Sequence, residues 1–269
     1  MTFALQDRAP ILRIARPLTA WPAGPTHPEL RGDENASIQT GSWFAELSEP
    51  LRNAIVGHAR VRQVVAGTRL AQRGDPPSHW YGVARGAVRL GTALADGRNF
   101  TLDFVGPSQW FGDIALIDDK PLDLDVIAHA PSTLLTISRV DMKRLVGTHA
   151  ELRDALLQLN CQRLRHMFHR FEELHTLPLA QRLARQVQRL ARQFGRRGPQ
   201  GTAIELGVSQ GDLAAMVGGS RQRVNRAWRQ MHHLDIVRLG QARLLVLDEA
   251  RLAAVADGRL ALPAKGEAD

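Results

Sequence analysis

Cysteine is nearly absent: Cys161 is the one thiol in 269 residues. That excludes an intramolecular disulfide framework and any cysteine-rich zinc or iron–sulfur site. Long apolar runs are missing too. No stretch of about 18 apolar residues is available to cross a bilayer. The N-terminus has no apolar signal core, because Ile11-Leu12-Arg13-Ile14-Ala15-Arg16 is short and basic. A cytoplasmic protein with no membrane partner is expected. Proline and glycine are absent from His149 to His175, which leaves room for an uninterrupted helix of roughly 40 Å. Lysine is absent from one long segment. From Cys161 to Leu245 there are 15 Arg, no Lys and 5 acids, a net of +10, against +8 for the whole chain. The remainder is close to neutral at −2. An arginine-rich module on a near-neutral body suggests a surface facing phosphates, nucleic acid before membrane.

What is present is enough for a core, with 44% of residues hydrophobic. Residues 1–40 hold five of the 14 prolines and little periodicity, so they are expected to be a largely disordered arm or the product of an over-extended start site. Order is expected from about Ser42, with short helices around Trp43 to Leu47 and Leu51 to Val56. Short β-rich runs follow: Arg60 to Val65, Thr68 to Gln72, Trp80 to Ala84, Ala87 to Leu94, Asn99 to Val105, Val126 to Ala130 and Thr133 to Ser138. Turn residues separate them, and Asp96-Gly97 between alternating runs is a strong hairpin signal. Short strands at this spacing argue for a barrel or jelly roll over 41–147 rather than βαβ units.

The texture then turns helical. Over 148–176, Leu157, Cys161, Leu164, Phe168 and Phe171 recur at spacings of 4, 3, 4 and 3, a coiled-coil seam. Such a stripe either pairs with a second copy or packs on the barrel of its own chain; a dimerisation helix is the more economical expectation. Pro178 opens an amphipathic helix whose polar face carries Arg182, Arg185, Arg189 and Arg192, with no acid among them. Residues 177–257 are expected to form one module, and 258–269 a tail.

Within that module, Ser209 and Asp212 form a capping box ahead of Leu213, Met216 and Val217. Gly218-Gly219 makes a tight turn, and Ser220 caps a second helix with Val224, Ala227, Trp228 and Met231 inside. Two short helices joined by a glycine turn are a helix-turn-helix, although an ordinary helical hairpin shares the pattern. The second helix offers Arg221, Gln222, Asn225, Arg226 and Arg229 outward. Arginine can bond guanine O6 and N7 with its fork, and Gln or Asn can do the same to adenine N6 and N7. Ser209, Ser220 and Arg223 complete the candidate DNA contacts. Leu239-Gly240-Gln241-Ala242, between Ile236 to Arg238 and Arg243 to Leu247, is expected to be the basic tip of a wing. The whole reads as an α+β chain: an N-terminal β-barrel, a long helix and a C-terminal winged helix-turn-helix.

Barrel, seam helix and winged helix-turn-helix, in that order from about Trp43 to Ala256, resemble the Crp/Fnr family of bacterial transcription regulators. Gly106-Pro107-Ser108-Gln109-Trp110-Phe111-Gly112-Asp113-Ile114-Ala115-Leu116-Ile117-Asp118 is similar to the family's phosphate-binding cassette. Ser209-Gln210-Gly211-Asp212-Leu213-Ala214 with Gly219-Ser220-Arg221-Gln222-Arg223-Val224-Asn225-Arg226 is similar to its helix-turn-helix. The resemblance implies a cyclic-nucleotide-binding-like barrel, base contacts from Arg221, Gln222 and Arg226, a homodimer on an inverted repeat, and RNA polymerase as a further partner. It also exposes a departure. Cyclic-nucleotide binders carry Gly-Glu for the ribose and Arg followed by Ser or Thr for the phosphate, where this chain has Gly112-Asp113, then Leu122 and Asp123. Leu122 offers no donor and Asp123 brings a negative charge, so cAMP binding in the family's manner is not expected. Arg85, Arg89 and Lys120 are the alternative sources of charge, and a cyclic dinucleotide the alternative effector.

Other chemistries find less. A haem would need an axial ligand, for which His79 and His129 are available without any supporting pattern. His166 and His169 share a helix face but lack a carboxylate at metal-ligand spacing. A cupin-like enzyme would want a His-x-His pair, which residues 60–138 do not contain. No cofactor, metal or catalytic residue is expected.

Overall fold

A computed structural model describes residues 30–94, 99–240 and 243–263. The chain opens with helices α1 (Gly32–Thr40), α2 (Ser42–Ala45) and α3 (Glu49–His58). Strands β1 (Arg60–Val64), β2 (Arg69–Ala71), β3 (His79–Arg85), β4 (Val88–Ala93), β5 (Asn99–Val105) and β6 (Trp110–Phe111) follow, then helix α4 (Asp113–Asp118). Strands β7 (Asp125–Ala128) and β8 (Ser132–Ser138) close the barrel, and α5 (Arg139–Thr148) leads into the long helix α6 (Ala150–Thr176). The C-terminal module comprises α7 (Leu179–Phe194), β9 (Gly195–Gly198), β10 (Gly201–Ile204), α8 (Gln210–Met216), α9 (Arg221–His233), β11 (Val237–Gly240), β12 (Arg243–Val246) and α10 (Glu249–Ala256).

The barrel is two four-stranded antiparallel sheets, ordered β1-β8-β3-β6 and β2-β7-β4-β5. Period-two alternation decides where each β3 side chain goes. Tyr81 and Val83 face the barrel interior with Phe111, Val88 and Leu134. Trp80 and Ala84 face outward, yet are equally buried, because α2, α3 and α6 cover that side. There Trp80 and Trp110 lie 4.5 Å apart, Phe44 stacks on Trp110 at 5.5 Å, and the Trp43 indole donates to the Ala155 carbonyl at 3.0 Å. Leu152 and Leu156 join the same cluster, so the first turns of α6 belong to the barrel's apolar core, and Arg163 and Arg170 farther along make polar contacts with it.

Several expectations need revision. Order begins before Ser42: Ile38 of α1 is fully buried, and the buried Glu34 carboxylate accepts from Thr133 Oγ1 at 2.6 Å and Arg85 Nε at 2.9 Å. Residues 32–40 are therefore a helix rather than part of a disordered arm, and a charge satisfied only in three dimensions stands in for apolar periodicity. Residues 1–29 lie outside the described residues, as do the Asp96-Gly97 turn and Gln241-Ala242 of the expected wing tip. The flanking strands are described and pair antiparallel, Ala93 opposite Asn99 and Gly240 opposite Arg243. Gly195 to Ile204, for which no strand was expected, is a hairpin that adds two strands to the module's sheet, ordered β11-β12-β10-β9. The tail is not wholly free either, since Leu260 and Leu262 pack on the module's core.

Candidate nucleic-acid interface and effector cassette

Helix α8 starts where a reciprocal capping box starts it. Ser209 Oγ accepts from the Asp212 amide at 3.0 Å, and Asp212 Oδ2 accepts from the Ser209 amide at 3.2 Å. It ends at Gly218, whose φ of +62° is left-handed. A Cβ at Gly218 would also sit 2.4 Å from Leu174 Cδ1 on α6, and one at Gly219 2.7 Å from Leu179 Cδ1. Gly218 is therefore favoured by its backbone angle, and both glycines let leucine side chains of α6 and α7 pack closely on the turn. Helix α9 then begins at Ser220, whose Oγ accepts from the Arg223 amide at 3.3 Å.

The two faces of α9 separate cleanly. Val224, Ala227, Trp228 and Met231 are buried in the module core, which fixes the helix in rotation. Arg221, Gln222, Arg223, Arg226 and Arg229 are exposed, and Asn225 is half-buried at the margin. Ser209 and Ser220 are exposed at the two helix starts but are occupied as caps. The result is a rigid rod with fork-shaped and amide donors on one side, the chemistry that base edges require. The wing strands β11 and β12 stand beside it, with Val237 opposite Val246.

The basic face of α7 behaves differently. Arg189 Nη1 lies 2.9 Å from Glu173 Oε2, Arg185 Nη1 lies 3.2 Å from Glu173 Oε1, and Arg182 Nη1 donates to the Leu174 carbonyl at 2.7 Å. The acid missing from α7's own face is supplied by α6. Of the four arginines on that face, Arg182, Arg185 and Arg189 are thus engaged within the chain.

The seam residues are exposed on α6. Leu157 is 66% exposed, Leu164 53%, Phe168 61% and Phe171 66%, and Cys161 is exposed as well. The alternative, that this stripe packs on its own barrel, is overturned: the barrel side of α6 is instead Leu152, Leu156, Asn160 and Arg163.

At the cassette, Gly112 is left-handed with φ +92°, and a Cβ there would meet the His79 carbonyl at 2.9 Å. Asp113 opens α4 and is fully buried. Arg163 Nη1 donates to both its oxygens at 2.8 Å, Asn160 Nδ2 donates to Oδ2 at 2.9 Å, and Arg163 Nη2 also donates to the Trp110 carbonyl. The carboxylate that the resemblance aligns with a ribose anchor is thus occupied by α6. Leu122 exchanges backbone hydrogen bonds with the Gly74–Asp75 turn, its amide to Asp75 at 3.0 Å and its carbonyl from Gly74 at 2.8 Å, and Asp123 is exposed. Arg85 is engaged by Glu34, and Lys120 lies 3.6 Å from Asp118 at the surface. Arg62 was not singled out from sequence. It shares the inward strand face of Val64, and burial lowers its pKa to about 10 despite the nearby Tyr81. Strand alternation in Arg60-Val61-Arg62-Gln63-Val64 was the available signal. His79 bonds locally to Ser78 Oγ at 3.0 Å, and His129 reaches from the barrel to the Gly207 carbonyl of the C-terminal module at 3.0 Å.

A β-barrel joined through one long helix to a helix-turn-helix module with a flanking sheet defines a class of DNA-binding regulators. Residues 61–149 match the cyclic nucleotide-binding domain family, and residues 181–255 match the Crp-like helix-turn-helix domain family; together they take in more than half of the chain. The CRP-like cAMP-activated global transcriptional regulator of Mycobacterium tuberculosis is 27% identical over 182 residues, 68% of this chain and 81% of that protein. The global nitrogen regulator of Synechococcus elongatus is 24% identical over 191 residues, covering 70% and 86%. Among solved structures, FixK2 from Bradyrhizobium japonicum superposes with a TM-score of 0.65 at 21% identity, over 73% of this chain and 96% of that one. The c-di-GMP-responsive regulator CLP of Xanthomonas campestris gives 0.64 at 21%, over 75% and 100%. The chain belongs to the Crp/Fnr family of transcription regulators, with a DNA-binding helix-turn-helix. Among the described residues no helix is long and apolar enough to cross a membrane.

Proposed function

We propose that the protein acts as a homodimer on an inverted-repeat DNA site, with Arg221, Gln222 and Arg226 reading bases and Ser209, Ser220, Arg223, Asn225 and Arg229 supporting them on the backbone or at the margins. The observation that carries this is the exposed arginine and amide face of α9, held in rotation by the buried Val224, Trp228 and Met231. Gln222 both donates and accepts, so it favours adenine where a glutamate would favour cytosine. Two-fold pairing through Leu157, Cys161, Leu164, Phe168 and Phe171 would set the recognition helices about 34–36 Å apart. RNA polymerase is the further partner of such a regulator.

Genome-wide footprinting followed by gel shifts tests the DNA reading. An inverted repeat is expected, with affinity falling steeply as salt rises because arginine–phosphate contacts release counterions. A protein with no sequence preference at any salt concentration would sink it.

The barrel is read as not binding cAMP in the family's manner. Support comes from Asp113 being paired with Arg163 and Asn160, and from Leu122 standing where a phosphate-holding arginine would be. An arginine–phosphate pair is charge-assisted, and its loss costs on the order of a hundredfold in affinity. The second reading, a regulator responsive to a cyclic nucleotide or dinucleotide, is favoured by relatives described as cAMP-activated and c-di-GMP-responsive. Calorimetry with cAMP, cGMP and cyclic di-GMP separates the two; tight cAMP binding overturns the first.

A further inference from the structure

The DNA-binding module meets the long helix at a joint of only two residues, Leu177 and Pro178, between α6 and α7. Whatever fixes the angle there also fixes where α9 points. We infer that Glu173 is the positioning residue of this joint: by holding Arg185 and Arg189 of α7 against the end of α6, it sets the half-site spacing that the dimer accepts. The inference rests on the dimeric DNA-binding reading above.

Glu173 is largely buried, 12% exposed, and its carboxylate is shared by two guanidiniums that are each about two-thirds covered. Arg185 passes the tie onward, donating through Nε to the Ala256 carbonyl of α10 at 3.1 Å. One turn earlier on α6, Arg170 lies 3.4 Å from Asp103 of β5. Successive turns of one helix thus hold the barrel and the DNA-binding module. A cavity of about 250 Å³ lined by His169, Glu172, Glu173, Thr176, Leu177 and Arg185 borders the tie. Open space therefore borders the carboxylate on one side at the joint, while the far end of α7 is held on the barrel by Gln193, which donates to the Phe104 carbonyl.

The joint adjoins the recognition helix itself: Leu174 before it and Leu179 after it lie against Gly218 and Gly219, the turn that leads into α9. At 1.5 Å per residue α9 runs about 20 Å, so a rotation of about 10° at the joint displaces one end of α9 against the other by about 3.5 Å, close to one base-pair step of about 3.4 Å. Neutralising Glu173 also leaves two like charges facing each other, which favours that rotation.

The test uses the full-length protein and inverted repeats built from its own selected half-site, with spacers differing by one base pair. The wild type is expected to prefer one spacer by about tenfold or more, the scale of a lost specific contact. Glu173→Gln is expected to flatten that preference to about threefold or less while a single half-site is bound within about twofold of wild type. Adding Arg189→Glu to Glu173→Arg, which reverses the pair, is expected to restore part of the preference, as a purely structural loss would not. Should Glu173→Gln fail to fold by circular dichroism, Arg189→Gln replaces it with the same direction of change. A folded, dimeric Glu173→Gln or Arg189→Gln protein that keeps the wild-type spacer preference overturns the inference. A wild type that binds no inverted repeat fails the parent reading instead, and one that binds every spacer equally overturns the joint alone.

Discussion

At the scale of single residues, one carboxylate decides how the barrel is to be understood. Asp113 is fully buried, and Arg163 is 30% exposed. A charge taken from water is tolerated only when it is paired and hydrogen-bonded, and here three hydrogen bonds from two side chains of α6, Arg163 and Asn160, do so. Removing one partner is then expensive. Arg163→Met is expected to destabilise the barrel by about 2–4 kcal/mol, a little below the range for fully buried pairs because Arg163 reaches solvent. Trp80 and Trp110 lie in the adjoining cluster, so urea unfolding followed by tryptophan fluorescence reads the change. The companion Asp113→Leu/Arg163→Met should recover most of the loss, since it leaves no buried charge behind. Unchanged stability in the single variant would sink the ion-pair account. Sequence showed Gly112-Asp113 as a degenerate cassette but not this pairing. Asn160 and Arg163 lie three residues apart on α6, on the side away from the seam; what they face is set only by the fold.

At the scale of elements, the parts whose own sequence carries the cause of their structure were legible. The barrel strands follow from alternation, α8 and α9 from their caps, and the turn between them from Gly218-Gly219. The elements that were missed draw their stability from elsewhere. Helix α1 depends on Glu34 reaching Arg85 and Thr133 across the fold. Strand β9, Gly-Arg-Arg-Gly with every residue exposed, exists because β10 pairs with it. The arginine face of α7 was legible as basic, yet Glu173, twelve residues before Arg185, redirects it inward. The seam is the opposite case: a pattern seen in sequence whose residues the chain itself leaves exposed. If a second copy covers it, Leu164→Glu with Phe168→Glu places two charges per helix in an apolar contact and should yield monomers by sedimentation. Far-UV circular dichroism should stay the same, because the first half of α6 is held by Leu152 and Leu156 instead. A double variant that remains dimeric would place the interface elsewhere.

At the scale of the whole molecule, the charge asymmetry is matched by a contact between its two halves. Ala87 and Phe104 of the barrel belong to the core of the DNA-binding module. Gln193 donates to the Phe104 carbonyl at 2.8 Å, and Thr101 Oγ1 donates to Asp212, the capping residue of α8, at 3.3 Å. His129 sits in this contact, edge-on to Phe104 at 4.6 Å with Nε2 3.0 Å from the Gly207 carbonyl. Burial lowers its pKa from the ordinary 6.5, assisted by Arg89 and opposed by Asp212 and the Gly207 hydrogen bond. The neutral ring is therefore the form the docked state prefers. A histidine with a depressed folded pKa contributes its stability fully above the unfolded value, and loses it as pH falls from there through the folded value. The docked contact is accordingly expected to weaken below about pH 6.5. Hydrogen exchange over β5 and α8 at pH 7.5 and pH 5.5, corrected for intrinsic rates, measures it. Wild-type protection should fall in acid more than that of His129→Gln, whose side chain can still donate to Gly207 but cannot take up a proton. Equal losses in the two proteins would assign the acid sensitivity to other groups, and a gain of protection in acid would reverse the sign argued from burial.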